Sequence, residues 1–386
     1  MRFHLSLNRV SAFAVPIVSI GMMPLAGAAM AQSSTAAAIS STAAAIYQSS
    51  HRIKTNVPGV TGFPDLPAGF DAVNASAEQR AAYGLPPAPN QAADPASYAK
   101  WMKAMSMVAH ATHYAGPLTV TNRKSMPMKA AGKPAGSAEG TISVGSFNWS
   151  GVANLVPNLT SWNASNSFLF VVSEFNVPVA QEAFGFCDGT TDLEVSWNGI
   201  DGYDNGDVLQ GGTLSQASCV NYGGLPVTST QYFAWIEWYP SYPILGAYYV
   251  GPGDDMFVET YAPSATQGYV YVYDLTRAIY GAYSIAPTGS TRLVGDSAEY
   301  IVERPCCNGS NYYALVNYVG DFWASNYAYT GAGVLRYPGQ TGSNTSLLTM
   351  YADNGTTPIS YTPEIGPPYQ IWFNDVNCAY SGGCTP

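Results

Sequence analysis

The chain has 386 residues, of which only 10% are charged, and it is rich in glycine, tyrosine, serine and threonine. This length allows two domains or one large β domain with attached segments, and the composition is typical of an extracellular β protein rather than a cytosolic helical enzyme. Residues 141–386 carry four arginines against twenty acidic residues, a formal charge of −16. So acidic a region excludes nucleic acid as an expected partner.

The same region contains neither lysine nor histidine. A Ser-His-Asp triad, a Cys-His pair and a His-ligated zinc site each need an imidazole, and a Ser-Lys pair needs the amine. An enzyme site here must therefore use carboxylates, amides, hydroxyls or thiols, and we expect neither a metal nor a cofactor. The negative charges of so acidic a surface repel one another less when the carboxylates protonate. This favours a protein that works at acid pH over the alternative that the charge only keeps the protein soluble.

The N-terminal 31 residues have the pattern of a secretory signal peptide. A weakly basic start precedes the mostly apolar residues 10–28 and a small-residue cleavage pattern at residues 29–31. Pro16 and Pro24 interrupt the apolar run, and no later segment has about 18 uninterrupted apolar residues. We therefore expect a secreted protein, extracellular or periplasmic, with no membrane partner.

Residues 32–140 are predicted to be a basic propeptide that is partly disordered and partly helical. Its first part, residues 32–50, is Ala/Ser/Thr low complexity. A short helix is expected near residues 75–82, opened by Asn74 or Ser76.

A second helix is predicted over residues 96–110, because Asp94-Pro95 is typical of an N-cap followed by proline at the first helical position. Its apolar face is too small to be a core, so we expect it to lie on the acidic domain. Residues 123–140 have no periodic pattern and are predicted to be an exposed linker that is open to proteolysis.

Residues 141–386 are predicted to be an all-β domain. Many short apolar runs separated by Gly, Pro and Asn turns indicate an antiparallel β-sandwich of two packed, curved sheets, of the jelly-roll or concanavalin-like type. The predicted strands lie at residues 167–178, 196–202, 208–212, 234–240, 256–261, 269–274, 298–304, 312–318, 333–337, 347–351 and 370–373.

All six cysteines lie in this domain, and an even number in an exported chain indicates disulfides. Cys187 with Cys219 and Cys378 with Cys384 are plausible pairs. The remaining cysteines, 306 and 307, are adjacent and would pair only with strain.

Polar residues stand out among the tryptophans and tyrosines of residues 196–239. Asp201, Gln210 and Glu237 lie there, and a buried carboxylate is costly unless it is paired or used. Strand alternation places Glu237 on one face with aromatic neighbours, and it places Glu303 on one face of a later strand. Such a face is either a substrate groove or a wet surface with aromatic residues.

Six motifs in this order resemble the glutamic peptidases, the eqolisin family, over roughly residues 145–330. They are Asn148-Trp149-Ser150-Gly151, Trp197-x-Gly-Ile-Asp-Gly202, Leu209-Gln210-x-Gly212, Trp235-x-Glu-Trp-Tyr-Pro240, Gly253-Asp254 and Ala298-Glu-Tyr-Ile-Val-Glu303. The family's fold is a β-sandwich, and its members are acid endopeptidases.

The resemblance implies a catalytic pair, Gln210 and Glu303. A carboxylate can take a proton from water as it attacks a peptide carbonyl and return it to the leaving amine. The amide of Gln210 can stabilise the oxyanion. The resemblance also implies supporting or substrate-contacting roles for a set of residues around this pair. Asp201 and Glu237 are expected either to share protons with Glu303 through hydrogen bonds or to be structural strand or turn residues. The set is Trp149, Trp197, Asp201, Trp235, Glu237 and Tyr239.

The sequence thus predicts a secreted, monomeric acid endopeptidase made as a zymogen. Its substrates are expected to be proteins and peptides, and its own propeptide is expected to inhibit it. The basic propeptide is expected to dock on the acidic domain at neutral pH and to be loosened as carboxylates protonate. The alternatives are a glycoside hydrolase and a non-catalytic carbohydrate-binding β-sandwich.

Overall fold

The computed structural model describes residues 52–92, 94–131, 135–138, 141–308, 311–318, 320–340, 344–362, 365–366 and 370–375. The predicted signal peptide, the low-complexity stretch at residues 32–50 and the predicted pair Cys378–Cys384 lie outside these residues. Among the residues described, no helix is both long and apolar enough to cross a membrane.

The helices of the described chain lie in its N-terminal region. Helix α1 spans Ala77–Ala82 and helix α2 spans Pro95–Val108. Ser76 caps α1 in a capping box with Gln79, which decides between the two start residues predicted from the sequence. Asp94 caps α2, whose first residue is a proline, so both helix predictions are confirmed.

The rest of the described chain is mainly β-strand. In the N-terminal region the strands are β1 (Ile53–Lys54), β2 (Val60–Gly62), β3 (Thr112–His113), β4 (Thr119–Val120) and β5 (Ala135–Ala138). Beyond residue 140 they are β6 (Thr141–Ser146), β7 (Trp149–Leu155), β8 (Phe168–Asn176), β9 (Thr191–Ile200), β10 (Val208–Tyr222), β11 (Leu225–Tyr239), β12 (Leu245–Tyr249), β13 (Asp255–Ser264), β14 (Gln267–Asp274), β15 (Ile279–Ile285), β16 (Ser297–Glu303), β17 (Cys306–Asn308), β18 (Asn311–Tyr312), β19 (Ala314–Leu315), β20 (Gly320–Thr330), β21 (Leu335–Arg336), β22 (Asn344–Tyr351), β23 (Pro358–Tyr361), β24 (Ile365–Gly366) and β25 (Gln370–Asp375).

These strands build two antiparallel sheets that pack on each other. The first sheet has the order β12-β11-β10-β9-β16-β7-β22. The second has the order β25-β20-β8-β13-β14-β15-β2-β1. Strand β23 pairs with both β22 and β25 and so joins the two sheets. The predicted antiparallel β-sandwich is confirmed.

An apolar core separates the sheets, because alternate residues of each strand point inward. Leu209 and Tyr300 of the first sheet and Val171 and Val258 of the second are buried in it. The other face of the first sheet carries a second buried cluster that includes Trp197 and other aromatic residues. We call this second surface the cleft face.

Strand β10 runs through a site where the sequence suggests a break. It is 15 residues long and continues past Gly211 and Gly212. A Cβ on Gly212 would collide with the backbone oxygen of Ser196, and one on Gly211 would collide with the side chain of Val270. The glycines therefore permit a close approach of neighbouring strands and sheets rather than ending the strand.

The N-terminal region spans both sheets. Strand β2 extends the second sheet by pairing with β15, and β4 pairs with β12 at the edge of the first. Between them, α2 buries Trp101 and Met105 in a cluster with tyrosines of the second sheet, among them Tyr271 and Tyr327. The expectation that the helix lies on the acidic domain is confirmed.

Residues 123–131 do not form the exposed linker that the sequence predicts. They lie along the cleft face, where Ser125 is fully buried. Lys124 exchanges two backbone hydrogen bonds with Cys306, and the backbone N–H of Met128 donates to Gly202 O. That prediction is wrong for this stretch because its contacts come from backbone and polar groups, which leave no hydrophobic periodicity to detect.

The described cysteines form two disulfides. Cys187 bonds to Cys219, which confirms that predicted pair. Cys306 and Cys307 are bonded to each other, although the sequence left this pairing open.

Candidate active site

Strand register brings the predicted catalytic residues to one face. Gln210 on β10 lies opposite Glu237 on β11 and opposite Gly199 on β9. Glu303, the last residue of β16, lies opposite Trp149 on β7. Since β9 lies between β10 and β16, strand alternation turns all three polar side chains onto the cleft face.

Tryptophan and asparagine side chains fix the carboxyl group of Glu303. Trp197 Nε1 donates a hydrogen bond of 2.9 Å to Oε2, and Asn148 Nδ2 lies 3.4 Å from Oε1. The ring of Trp149 packs edge-on against that of Trp197, with centroids 4.9 Å apart. All four side chains are buried, so the carboxyl group has one well-defined orientation.

The side-chain amide of Gln210 is oriented by Glu237. Gln210 Nε2 donates to Glu237 Oε2 at 3.2 Å. Burial raises the pKa of Glu237 well above its ordinary value, against the lowering effect of a hydrogen bond from the backbone of Ser125. Both protons of the amide are used, because Nε2 also donates to Ser125 O at 3.2 Å.

The peptide bond between Ser125 and Met126 lies between Glu303 and Gln210. On one side, Gln210 Nε2 contacts the Ser125 carbonyl oxygen. On the other, the Met126 N–H donates to Glu303 Oε1 at 2.9 Å. The Ser125 N–H donates to Glu237 Oε2, also at 2.9 Å. Gln210 and Glu303 thus hold both ends of the Ser125–Met126 peptide unit, and Glu237 holds the N–H of the peptide unit before it.

The hydroxyl of Ser125 contacts both members of the predicted pair. Its Oγ lies 2.9 Å from Gln210 Oε1 and also makes a hydrogen bond with Glu303 Oε2. A hydroxyl has one proton, so it can donate to only one of these two oxygens. Ionised Glu303 accepts the hydroxyl proton, whereas neutral Glu303 can donate its own proton to Oγ and leave the hydroxyl proton for Gln210 Oε1.

A neutral Glu303 agrees with its burial. Removal from water raises the pKa of this carboxyl to about 8, although the hydrogen bonds that it accepts lower it. Burial of Glu303 therefore favours its protonated form.

Asp201 is held at a different place from the predicted pair. Its carboxylate accepts backbone hydrogen bonds of 2.6–3.0 Å from Val294, Gly295 and Asp296. Within the described chain it makes no hydrogen bond to Glu303, so the expected proton sharing is not made, and the same holds for Glu237. Asp201 instead fixes the loop that leads into β16.

The other predicted residues line the cleft face. Trp235 is fully buried beneath it. The ring of Tyr239 lies beneath Lys124, whose Nζ is 6.0 Å from the ring centroid.

Residues that the sequence analysis did not select hold the bound segment. Arg123 Nη2 donates to Gln216 Oε1 at 2.5 Å and its guanidinium lies 6.0 Å from the ring centroid of Tyr313. Gln216 shares the parity of Gln210 along β10, a signal that could have found it. Asn148 precedes Trp149 in a motif that was quoted, whereas nothing in the sequence marks Ser125.

A metal centre is not formed by the described residues: no three His, Cys, Asp or Glu side chains among them are grouped to hold an ion.

Comparisons with known proteins point in one direction. The sequence profile described as the Peptidase A4 family matches residues 147–362, more than half of the chain. No curated protein matches the chain.

Solved structures similar to this chain include glutamic peptidases. Scytalido-glutamic peptidase with a transition-state analogue inhibitor is 20% identical, with 60% of this chain and 98% of that chain covered and a TM-score of 0.45. SCP-B, a member of the eqolisin family, in complex with the tripeptide Ala-Ile-His is 20% identical, with 60% and 98% covered and a TM-score of 0.43. Aspergilloglutamic peptidase from Aspergillus niger is 23% identical, with 48% and 99% covered and a TM-score of 0.38.

Proposed function

The chain belongs to the peptidase A4 family, the glutamic peptidases, and we propose that it is a secreted acid endopeptidase in which Glu303 and Gln210 hydrolyse peptide bonds. The observation that carries this proposal is the peptide unit of Ser125 and Met126, which lies between these two side chains. Gln210 donates to its carbonyl oxygen and Glu303 accepts from its N–H. Each side chain thus already faces the atom on which it would act.

The proposed chemistry needs only a carboxylate, an amide and water. Ionised Glu303 takes a proton from a water molecule as that water attacks the peptide carbonyl carbon. The oxyanion that forms accepts a hydrogen bond from Gln210 Nε2, a contribution of about 2.7–4 kcal/mol in comparable sites. Glu303 then gives the proton to the peptide nitrogen, and the C–N bond breaks.

Neighbouring residues prepare this pair. Trp197 and Asn148 orient the carboxyl group of Glu303. Glu237 fixes the direction of the Gln210 amide, and burial raises the pKa of its carboxyl group, which favours the neutral form and lessens repulsion of Glu303. An amide keeps its donor at any pH, which suits work in acid.

We further propose that residues 32–140 are a propeptide that inhibits the enzyme within its own chain. The support is that residues 123–131 cover Glu303, Gln210 and Glu237, and leave all three inaccessible to another substrate. A peptide held in the cleft by its backbone also favours peptide substrates over the sugar substrates of a glycoside hydrolase. A glycoside hydrolase cleaves its sugar substrate with two carboxyl groups, and such a reaction would give no role to Gln210.

The experiment is a protein-digestion assay at acid pH with processed enzyme. Glu303→Gln is expected to abolish digestion, since the general base is lost. Gln210→Ala is expected to reduce it about 10²- to 10³-fold. Glu182→Gln is the matched control, because Glu182 is also buried but accepts its hydrogen bond from Thr228, in another part of the sandwich. Unchanged digestion by both site variants would refute the assignment.

A further inference from the structure

We propose that the Ser125 hydroxyl occupies the place of the hydrolytic water, so that residues 123–131 are bound as a substrate that is cut only slowly. The bond between Ser125 and Met126 is then the self-processing site of this chain, and its own serine slows the cleavage. This inference rests on the proposed function of Glu303 and Gln210.

The polarity of the bound peptide unit is that of a substrate. Its carbonyl oxygen faces the only donor of the pair, Gln210 Nε2, and its N–H faces Glu303, the group that must protonate the leaving nitrogen. An inhibitory segment that merely blocks access would not need this alignment. Here donor and acceptor each meet the atom required for cleavage of the Ser125–Met126 bond.

The attacking water must be held by Glu303 and must lie next to the peptide carbonyl carbon. In the structure, the oxygen that meets both conditions is Ser125 Oγ. It contacts Glu303 Oε2 and Gln210 Oε1 and belongs to the same residue as the carbonyl. The two side-chain oxygens that would position a water therefore hold a hydroxyl that cannot leave.

Backbone contacts on both sides prevent the segment from sliding past this position. Upstream, Lys124 exchanges two hydrogen bonds with Cys306. Downstream, Asn148 Nδ2 donates to Met126 O at 3.1 Å, and Lys129 N–H donates to Asn148 Oδ1 at 2.8 Å. The register of the peptide is thus fixed independently of Ser125, and removal of the hydroxyl leaves the peptide unit where it is.

Replacement of Ser125 by a residue without a hydroxyl should convert the bound segment into a readily cleaved substrate. Without Oγ, the vacated volume has the polar partners that one water molecule needs. In chains whose Glu303 is ionised, that water loses a proton to the carboxylate as it attacks the carbonyl carbon of residue 125. Glu303 then gives this proton to the Met126 nitrogen, and the C–N bond breaks. The products are a carboxyl group at residue 125 and a free amine at Met126.

The test follows self-cleavage of purified full-length chain from about pH 4 to about pH 8, by intact mass and N-terminal sequencing. This range covers the ordinary pKa of a carboxyl group and the raised pKa of the covered Glu303. Ser125→Ala and Ser125→Gly are expected to split before Met126 about ten- to a hundredfold faster than wild type, the ratio that corresponds to loss of one hydrogen bond to a carboxyl group. Ser106→Ala, an exposed serine of α2, is the matched control and should split at the wild-type rate. The rate should not depend on protein concentration.

The outcomes distinguish the proposed role of Ser125 from the proposed catalytic function of Glu303 and Gln210. One outcome is that both Ser125 variants split no faster than wild type, or split first at another bond, while processed wild type digests protein and Glu303→Gln does not. The proposed role of Ser125 is then wrong, and the proposed function stands. If Ser125→Ala combined with Glu303→Gln still splits as fast as Ser125→Ala alone, then the proposed function fails. Fast cleavage before Met126 that requires Glu303 supports both.

Discussion

The N-terminal region contacts the sandwich in two places that are built differently. On the outer face of the second sheet, helix α2 buries Trp101 and places two lysines on acidic residues. Lys100 contacts Glu174 at 2.5 Å, and Lys103 contacts Glu174 at 3.0 Å and Asp255 at 2.6 Å. We call this contact the anchor. On the cleft face, residues 123–131 make backbone hydrogen bonds to carboxyl groups; we call this stretch the cleft segment.

The two contacts should respond to acid in opposite directions. The ion pairs of the anchor need ionised carboxylates and weaken as these take up protons. In the cleft, burial raises the pKa of Glu303 to about 8 and that of Glu237 well above its ordinary value. A carboxyl whose pKa is higher when covered favours the covered state at low pH, and this contribution is lost as the pH rises through about 8.

The difference teaches that acid need not expel the whole N-terminal region at once. Acid loosens the anchor, while the cleft segment stays in register across Glu303 and Gln210. Self-processing within the cleft, rather than simple dissociation, is the route that this arrangement favours.

The largest expected effect comes from removal of the apolar part of the anchor. Trp101 is 1% exposed, and Trp101→Ala should cost about 3–5 kcal/mol of helix docking. Hydrogen exchange of the full-length chain should then show α2 unprotected, while the amides of Ser125 and Met126 remain protected. Met102→Ala, on the exposed side of the same helix, should change neither. Equal loss of protection in both regions would show that anchor and cleft segment form one unit.

The interior of the sandwich supplies a second acid response that has to be separated from that of the cleft. Glu194 of β9 and Asp321 of β20 are buried between the sheets, and burial raises their pKa values to about 8 and about 7. Unfolded carboxyls titrate near about 4. These two groups therefore stabilise the fold fully below that pH, and their contribution is lost as the pH rises through 7 to 8.

Glu194→Gln should flatten that response, since an amide does not titrate. Thermal unfolding of the inactive Glu303→Gln chain is expected to show a melting temperature that falls from pH 4 to pH 8, and a smaller fall when Glu194→Gln is added. Exposed Glu78→Gln is the control. An identical fall with and without Glu194→Gln would show that Glu194 does not contribute to the pH dependence of the melting temperature.

The smallest expected effect belongs to the anchor's ion pairs. Their lysine side chains are 36% and 50% exposed, and pairs of this kind contribute about 0–1 kcal/mol each. Lys100→Gln with Lys103→Gln should raise exchange of α2 slightly at neutral pH and remove its further rise in acid, after correction for intrinsic exchange rates. If the exchange of α2 still rises in acid in the double variant, groups other than these ion pairs cause the response.

The sequence predicted the sandwich and both helices because their signals are local. Alternation of apolar residues marks strands, and Ser76 and Asp94 mark helix starts. It failed at Gly211 and Gly212, because a glycine that admits a neighbouring strand has the same appearance in sequence as one that ends a strand. Only the packing of Ser196 and Val270 against them distinguishes the two cases.

The candidate site was predicted only in part, because only some of its residues have local sequence signals. Gln210, Glu237 and Glu303 lie in motifs with strand parity, and the structure gathers them. Asp201 lies in a motif too, but its partners are backbone N–H groups of a distant loop, which no residue pattern shows. Ser125 was missed because its role depends on what faces it across the cleft, some 180 residues along the chain.

The most direct measurement is the titration of Glu303 in the full-length chain and in the processed enzyme, by carbon NMR of labelled glutamate with Glu303→Gln to assign the signal. With the cleft segment in place, its midpoint is predicted at about 8. After processing and release of the segment, water reaches the carboxyl group and the midpoint should fall toward the ordinary value of about 4.3. A midpoint near the ordinary value in both forms would contradict the account, because the cleft segment would then not cover Glu303.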